Sequence, residues 1–307
     1  MEYLLWLQTI RNGFFDSVLA TVTDLVVSPA VYVVIAIIYW CFNKKAALFL
    51  AMNVSVGSMV NQTLKNIFCV YRPWIKNPDI TPVESALENA TGYSFPSGHS
   101  QIGSSVFLSI ATLYKNKKWL VVLCVFMTIL IMFTRNYLGV HTPQDVIVGM
   151  LVALTVILIN KKLLTWVDCG KNRDIYVAIT GVFISVIVLI YLTLKPYPVD
   201  LNADGSMLVD PGKMIEDCYV TAGCMFGFFA GWILERRFVN FSVDISTKKK
   251  VLRAVLGGAF MLLYAGLMRE KMILVHVLWG EFAFFAIAFM FILFIYPWIF
   301  SKVERCC

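Results

Sequence analysis

The residues with the clearest chemistry in this chain lie between Thr134 and Asp145, where Arg135, His141 and Asp145 separate two strongly apolar runs. An arginine, a histidine and an aspartate are costly where one membrane helix ends and the next begins. Their types and spacing suit phosphate handling. Arg135 would grip phosphate oxygens, His141 would attack phosphorus, and Asp145, one helical turn further on, would fix the imidazole tautomer. Two other polar stretches point the same way. Lys65 and Arg72 are seven residues apart, so on a continuing helix they would share a face and converge on one anion. Pro96-Ser97-Gly98-His99 opens an apolar run, and a helix N-terminus there would offer free backbone N–H groups and a positive dipole end to phosphate.

The elements that must position these residues are membrane helices. The 307-residue chain is 59% hydrophobic and only 15% charged, and several runs are long enough to cross a hydrocarbon core of about 30 Å. The fold class expected is an all-α, polytopic transmembrane bundle of about nine spans. These lie near 27–42, 46–69, 98–114, 119–138, 142–160, 175–194, 218–234, 251–268 and 272–300. Residues 1–26 read instead as an amphipathic interfacial helix. Tyr3, Leu7, Ile10, Phe14 and Val18 recur at helical spacing with Trp6 as anchor, and Glu2 and Arg11 argue against a cleavable signal peptide. A motif-bearing core over 27–195 and additional helices over 196–307 complete the expected division.

A net charge of +7 would suit nucleic acid, but the basic residues fall in short loops between spans, where they set topology. Loops on one side hold 17 of the 26 basic residues, among them Lys44, Lys45, Lys161, Lys162, Arg236, Arg237, Lys302 and Arg305. The positive-inside rule makes that side cytoplasmic, together with the C-terminus. The three polar stretches all fall on the opposite, external or lumenal side, as does the acidic 195–216 loop. Only three histidines exist, and two are in these stretches.

The eight cysteines suggest neither a disulfide framework nor a metal site. Cys41, Cys69, Cys124 and Cys224 read as small hydrophobes, and Cys306 and Cys307 form a weak acylation motif beside Lys302 and Arg305. Trp74, Asp79, Glu84 and Glu88 border the site in a polar loop that also carries the sequon Asn89-Ala90-Thr91. His276 and Glu281 fall inside the last expected span and read as a polar contact between helices.

Lys65-x6-Arg72-Pro73, Pro96-Ser97-Gly98-His99 and Thr134-Arg135-x5-His141-x3-Asp145, in this order, resemble the three signature motifs of the type-2 phosphatidic acid phosphatase superfamily. The resemblance covers roughly residues 25–160. It departs only at Thr134, where the family usually has Ser and a hydroxyl is kept. It implies that His141 forms a phosphohistidine, oriented by Asp145. It implies also that His99 protonates the leaving alkoxide and then activates water. Lys65, Arg72, Arg135, Ser97 and the Gly98 N–H would stabilise the equatorial oxygens. The family works without a metal or other cofactor, and no carboxylate cluster here suggests a divalent-ion site. The expected substrate is a lipid phosphate or diphosphate, such as phosphatidic acid, phosphatidylglycerol phosphate, a polyprenyl diphosphate or a sphingoid phosphate. The alternatives are a soluble sugar phosphate, because the nine-span layout also resembles glucose-6-phosphatase, and lipid phosphotransfer.

Overall fold

A computed structural model of the chain describes every residue except 91, 203, 204, 270–277 and 307. His276, Thr91 of the sequon, Asp204 and Cys307 therefore lie outside the described residues. Fourteen α-helices follow one another among those described: α1 (Glu2–Thr9), α2 (Gly13–Val27), α3 (Pro29–Cys41), α4 (Lys44–Phe68), α5 (Pro73–Lys76), α6 (Glu84–Leu87), α7 (Gly98–Leu113), α8 (Lys118–Tyr137), α9 (Pro143–Asp168), α10 (Arg173–Leu194), α11 (Pro211–Leu234), α12 (Thr247–Arg269), α13 (Leu278–Met290) and α14 (Tyr296–Cys306). Single π-turns at Glu235–Val239 and Phe291–Ile295 continue α11 and join α13 to α14. No strand is formed among the described residues.

Helices α7 and α8 bury polar faces, and several helices turn apolar faces outward. On α8 the buried side includes Thr128, Thr134, Arg135 and Asn136, whereas Trp119, Val122, Phe126 and Ile129 are exposed. Helix α7 buries His99, Ser100, Gln101, Ser104, Ser105 and Ser109. Helix α10 exposes Phe183, Ile184, Ile187 and Ile190. Such outward apolar faces suit lipid and would aggregate in water. This is an integral, multi-pass membrane protein.

Five helices are long and apolar enough to span: Lys118–Tyr137, Pro143–Asp168, Arg173–Leu194, Pro211–Val239 and Leu278–Arg305; α2 and α3, taken as one broken span, would make six. That is fewer than the nine read from the sequence, and the reasons are physical. The 16 residues of α7 cover only about 24 Å at the helical rise. Helix α4 is long, but Asn53, Ser55, Ser58, Asn61, Gln62, Lys65 and Asn66 dilute its hydropathy. Helix α12 opens on Lys248, Lys249, Lys250 and Arg253. The single N-terminal helix expected is likewise two. The chain breaks after Thr9, and the Asn12 side chain caps α2 by accepting from the Phe15 N–H.

The chain forms two units. The first comprises Met1–Ser28, Val60–Ile157 and Leu192–Asp217. In it α2 packs on α7 and α8, and α7 packs on α8. Leu4, Leu7, Ala20, Ile80, Ala86, Tyr137, Leu138 and Val140 form one apolar cluster that clamps the turn before His141. The second unit comprises Pro29–Met59, Leu158–Tyr191 and Cys218–Cys307. There Gly223, Gly227 and Gly231 form a stripe on α11, where a Cβ would come within 2.4 Å of the Phe282 carbonyl and 2.3 Å of the Ala286 carbonyl. The stripe lets α11 and α13 approach backbone to backbone, as small residues do in membrane helix pairs. Trp40 donates to the Ile292 carbonyl at 2.8 Å in the same unit, and Glu281 is buried.

Candidate active site

All the residues expected to act on phosphate fall in the first unit, most of them fully buried: Ser97 and Arg135 are 0% exposed, Arg72 and His141 2%, Asp145 3%, and Lys65 and His99 8%. Lys65 sits on the last turn of α4. The continuing helix expected from Lys65 to Arg72 does not form, because α4 stops at Phe68 and Cys69 takes a left-handed φ of 48°. Arg72 reaches the site from an extended residue ahead of α5 instead. It donates through Nε to the Gly92 carbonyl at 3.0 Å and through Nη1 to the Val140 carbonyl at 3.0 Å.

The geometry around His141 defines its tautomer. Arg72 Nη1 lies 2.8 Å from His141 Nε2, and a guanidinium can only donate, so Nε2 is the acceptor and the proton sits on Nδ1. On that side are Ser94 Oγ at 3.3 Å and Asp145 Oδ2 at 3.5 Å. Ser94 in turn donates to Asp145 Oδ2 at 2.6 Å, and the Thr142 N–H donates to the same oxygen at 2.7 Å. Asn136 holds the backbone by donating to the His141 carbonyl at 2.9 Å. The lone pair of Nε2 is thus directed toward Arg72. Burial first, and then Arg72, hold the His141 pKa well below that of an ordinary imidazole, with Asp145 pulling the other way. Burial and Arg135 likewise lower the Arg72 pKa.

The Pro-Ser-Gly-His stretch forms the helix start expected of it. Ser97 caps α7, its side chain accepting from the Ser100 N–H, and Gly98 and His99 occupy the first turn. The Ser97 N–H donates to the Asp145 carbonyl at 3.0 Å, which ties this helix start to the start of α9. Gly149 permits the approach, because a Cβ there would meet the Ser97 carbonyl at 2.7 Å.

Arg135 is the anomaly. Its Nε, Nη1 and Nη2 are all buried, and none has a hydrogen-bond partner among the described residues. A buried guanidinium without hydrogen bonds is costly even with the Asp24 charge near it, and its planar fork matches phosphate. Lys65 feels the charges of Arg72, Asp145 and Arg135, which gathers the three cations about one place.

Three acids and hydroxyls near the site are absent from the sequence expectations. Ser94 lies two residues before the Pro96–His99 stretch, and a serine gives no signal of its role before its bonds are seen. Asp24 lies on α2 with Oδ1 3.3 Å from His99 Nε2. Asp217, at the start of α11, acts through its charge on Lys65 and Arg72. Glu84 and Glu88, read as bordering the site, line a cleft of about 780 Å³ with Arg11, Asp16 and Asp24.

Residues 44–168 match the model of the PAP2 superfamily, and residues 219–305 match that of the PAP2 superfamily phosphatase transmembrane extension. Together they take in more than half of the chain. It belongs to the PAP2 superfamily. Relatives include the undecaprenyl-diphosphatase BcrC of Bacillus subtilis, 26% identical over 152 residues, 48% of this chain and 73% of the relative. The phosphatidylglycerophosphatase B of Bacillus subtilis is 26% identical over 166 residues, 50% of this chain and 76% of its own. A probable sphingosine-1-phosphate phosphatase of Dictyostelium discoideum is 29% identical over 171 residues, 50% of this chain but 39% of its own. No solved structure matches the chain significantly. Membership in this superfamily and phosphatase relatives make the chain a phosphatase.

Proposed function

We propose that the protein hydrolyses a lipid phosphate or diphosphate through a phosphohistidine on His141, at the non-cytoplasmic face of the membrane. The observation that carries this reading is the buried Arg135 guanidinium without a hydrogen-bond partner among the described residues, in the same unit as a histidine whose Nε2 lone pair is free of a proton. A phosphoryl group would complete Arg135 and present its phosphorus to His141.

In the first step His141 Nε2 attacks phosphorus while the bond to the leaving oxygen breaks. Asp145, helped by Ser94, holds Nδ1–H and stabilises the imidazolium as positive charge develops. Lys65, Arg72 and Arg135, with Ser97 and the Gly98 N–H, hold the equatorial oxygens. His99 gives its proton to the leaving oxygen. In the second step His99 takes a proton from water, the water oxygen attacks phosphorus, and the P–N bond breaks to restore His141. Arg72, which donates to Nε2 at 2.8 Å, would also reach a phosphoryl oxygen.

On this reading residues 27–195 form the phosphatase core of a nine-span bundle, 1–26 lie in the interface, and 196–307 add helices with the C-terminus in the cytosol. The exposed Tyr3, Trp6, Phe14 and Phe15 support an interfacial N-terminus. The relatives favour undecaprenyl diphosphate or a glycerophospholipid phosphate as substrate. The test is phosphate release by purified protein in detergent with EDTA present, comparing these lipids with glucose 6-phosphate. Release from a lipid that His141→Ala abolishes is expected. Release from the sugar phosphate alone would contradict a lipid substrate, and a mutant as active as wild type would contradict the mechanism.

A further inference from the structure

We propose that Asp24 is a positioning residue for His99, giving the site a second carboxylate–imidazole pair beside His141–Asp145. The proposal rests on the roles assigned to His99 and His141 above. Asp24 lies outside the matched stretches, on a helix whose only charges are Asp16 and Asp24. Its neighbours Thr23 and Val26 are buried, so that turn of α2 is packed into the unit and holds the carboxylate in place. Oδ1 lies 3.3 Å from His99 Nε2.

The chemistry follows from the atom that Asp24 faces. A carboxylate only accepts, so the His99 proton shared with it is on Nε2, and Nδ1 is left for the substrate. With His99 protonated, Nδ1–H goes to the leaving oxygen as the P–O bond breaks and the P–N bond to His141 forms. With His99 neutral, the Nδ1 lone pair takes a proton from water as the new P–O bond forms and the P–N bond breaks. Nε2–H stays on Asp24 throughout, so one orientation serves both halves.

The charged groups that face this pair are Arg135, which acts on both Asp24 and His99, and Arg72, which acts on His99. Both guanidiniums oppose the imidazolium that a general acid requires, and Asp24 supplies the carboxylate that opposes them at Nε2. Its side chain is 33% exposed and forms part of the wall of the cleft of about 780 Å³, with Arg11, Asp16, Glu84 and Glu88 around it. The pair therefore has water on one side and the phosphate site on the other.

The experiment compares two leaving groups in detergent: a long-chain alkyl phosphate, whose alkoxide needs a proton, and nitrophenyl phosphate, whose phenolate does not. Asp24→Asn is expected to lower kcat/KM for the alkyl ester about 10- to 100-fold and to change the aryl ester less than about 3-fold, in the range of general-acid effects. Asp24→Glu is expected to recover part of the alkyl activity, and it also serves if Asp24→Asn folds poorly. Equal losses on both esters, or no loss on the alkyl ester, would overturn the pairing while leaving the phosphatase reading intact. A His141→Ala protein as active as wild type would instead overturn the mechanism beneath it.

Discussion

The two units bury charge in opposite ways. In the second unit, three buried charges are matched. Lys44 Nζ lies 2.5 Å from Glu235, which is 0% exposed. Asp174 meets Arg236 at 2.9 Å and Arg237 at 2.5 Å. Arg253 grips Glu304 with both arms, at 2.8 and 2.7 Å. In the first unit Lys65, Arg72 and Arg135 stand together, and the most deeply buried of them has no hydrogen-bond partner among the described residues. Matched pairs serve the fold, and an unmatched cation keeps a place for a substrate's anion. The difference teaches that charge balance, rather than burial alone, separates a structural ion pair from a binding site.

Several substitutions would break or sharpen this contrast. The largest effect is expected from His141→Ala, which should lower kcat for the lipid substrate by more than about 1,000-fold, because residues that act as a unit fail together. Arg135→Met should cost about 100- to 1,000-fold in kcat, the loss typical of one transition-state donor. It should leave the melting temperature unchanged or raise it, since a buried guanidinium without hydrogen bonds is removed. A fall in melting temperature would mean that Arg135 is structural. Glu235→Gln in the second unit should do the reverse. It leaves Lys44 without its carboxylate and should destabilise by about 3–5 kcal/mol in a denaturation measurement, with turnover per folded molecule unchanged. Inorganic phosphate should raise the melting temperature of wild type but not of Arg135→Met, by mass action on the folded state.

The smallest effect is in pH dependence. His141 titrates well below an ordinary imidazole, so it stays neutral and nucleophilic as pH falls through about 6.5. The acid limb of kcat/KM should therefore lie below that value. The sign for stability follows too. The unfolded imidazole takes a proton below about 6.5 while the folded one does not, so stability is lost as pH falls under that value. Chemical denaturation from pH 7 to 5 should show a smaller loss for His141→Ala.

The three polar stretches are legible in the sequence because each sets costly residues in a short pattern among apolar ones. The side chains that organise them are less so. Asp24 is distant from every stretch and reaches His99 only because α2 packs on α7. Ser94 gains its role from an orientation between Asp145 and His141 that no spacing encodes. The pairing of Lys65 with Arg72 is read from helical spacing, but the left-handed Cys69 that ends α4 between them removes that helix. Helical character is plain throughout, whereas the span count is less so. Helix α7 is too short to count as a span, and the asparagines, serines and glutamine of α4 dilute its hydropathy. Gly149 shows the same limit, since only the approach of α9 to the start of α7 explains it.

The most direct measurement is capture of the phosphoenzyme. Purified protein would be mixed with a radiolabelled lipid phosphate, quenched in alkaline detergent within one turnover, and separated on a gel. A phosphohistidine mechanism predicts label on the wild-type chain that survives base, is lost in acid, maps to His141 and is absent from His141→Ala. Label that survives acid, or that persists in His141→Ala, would contradict it.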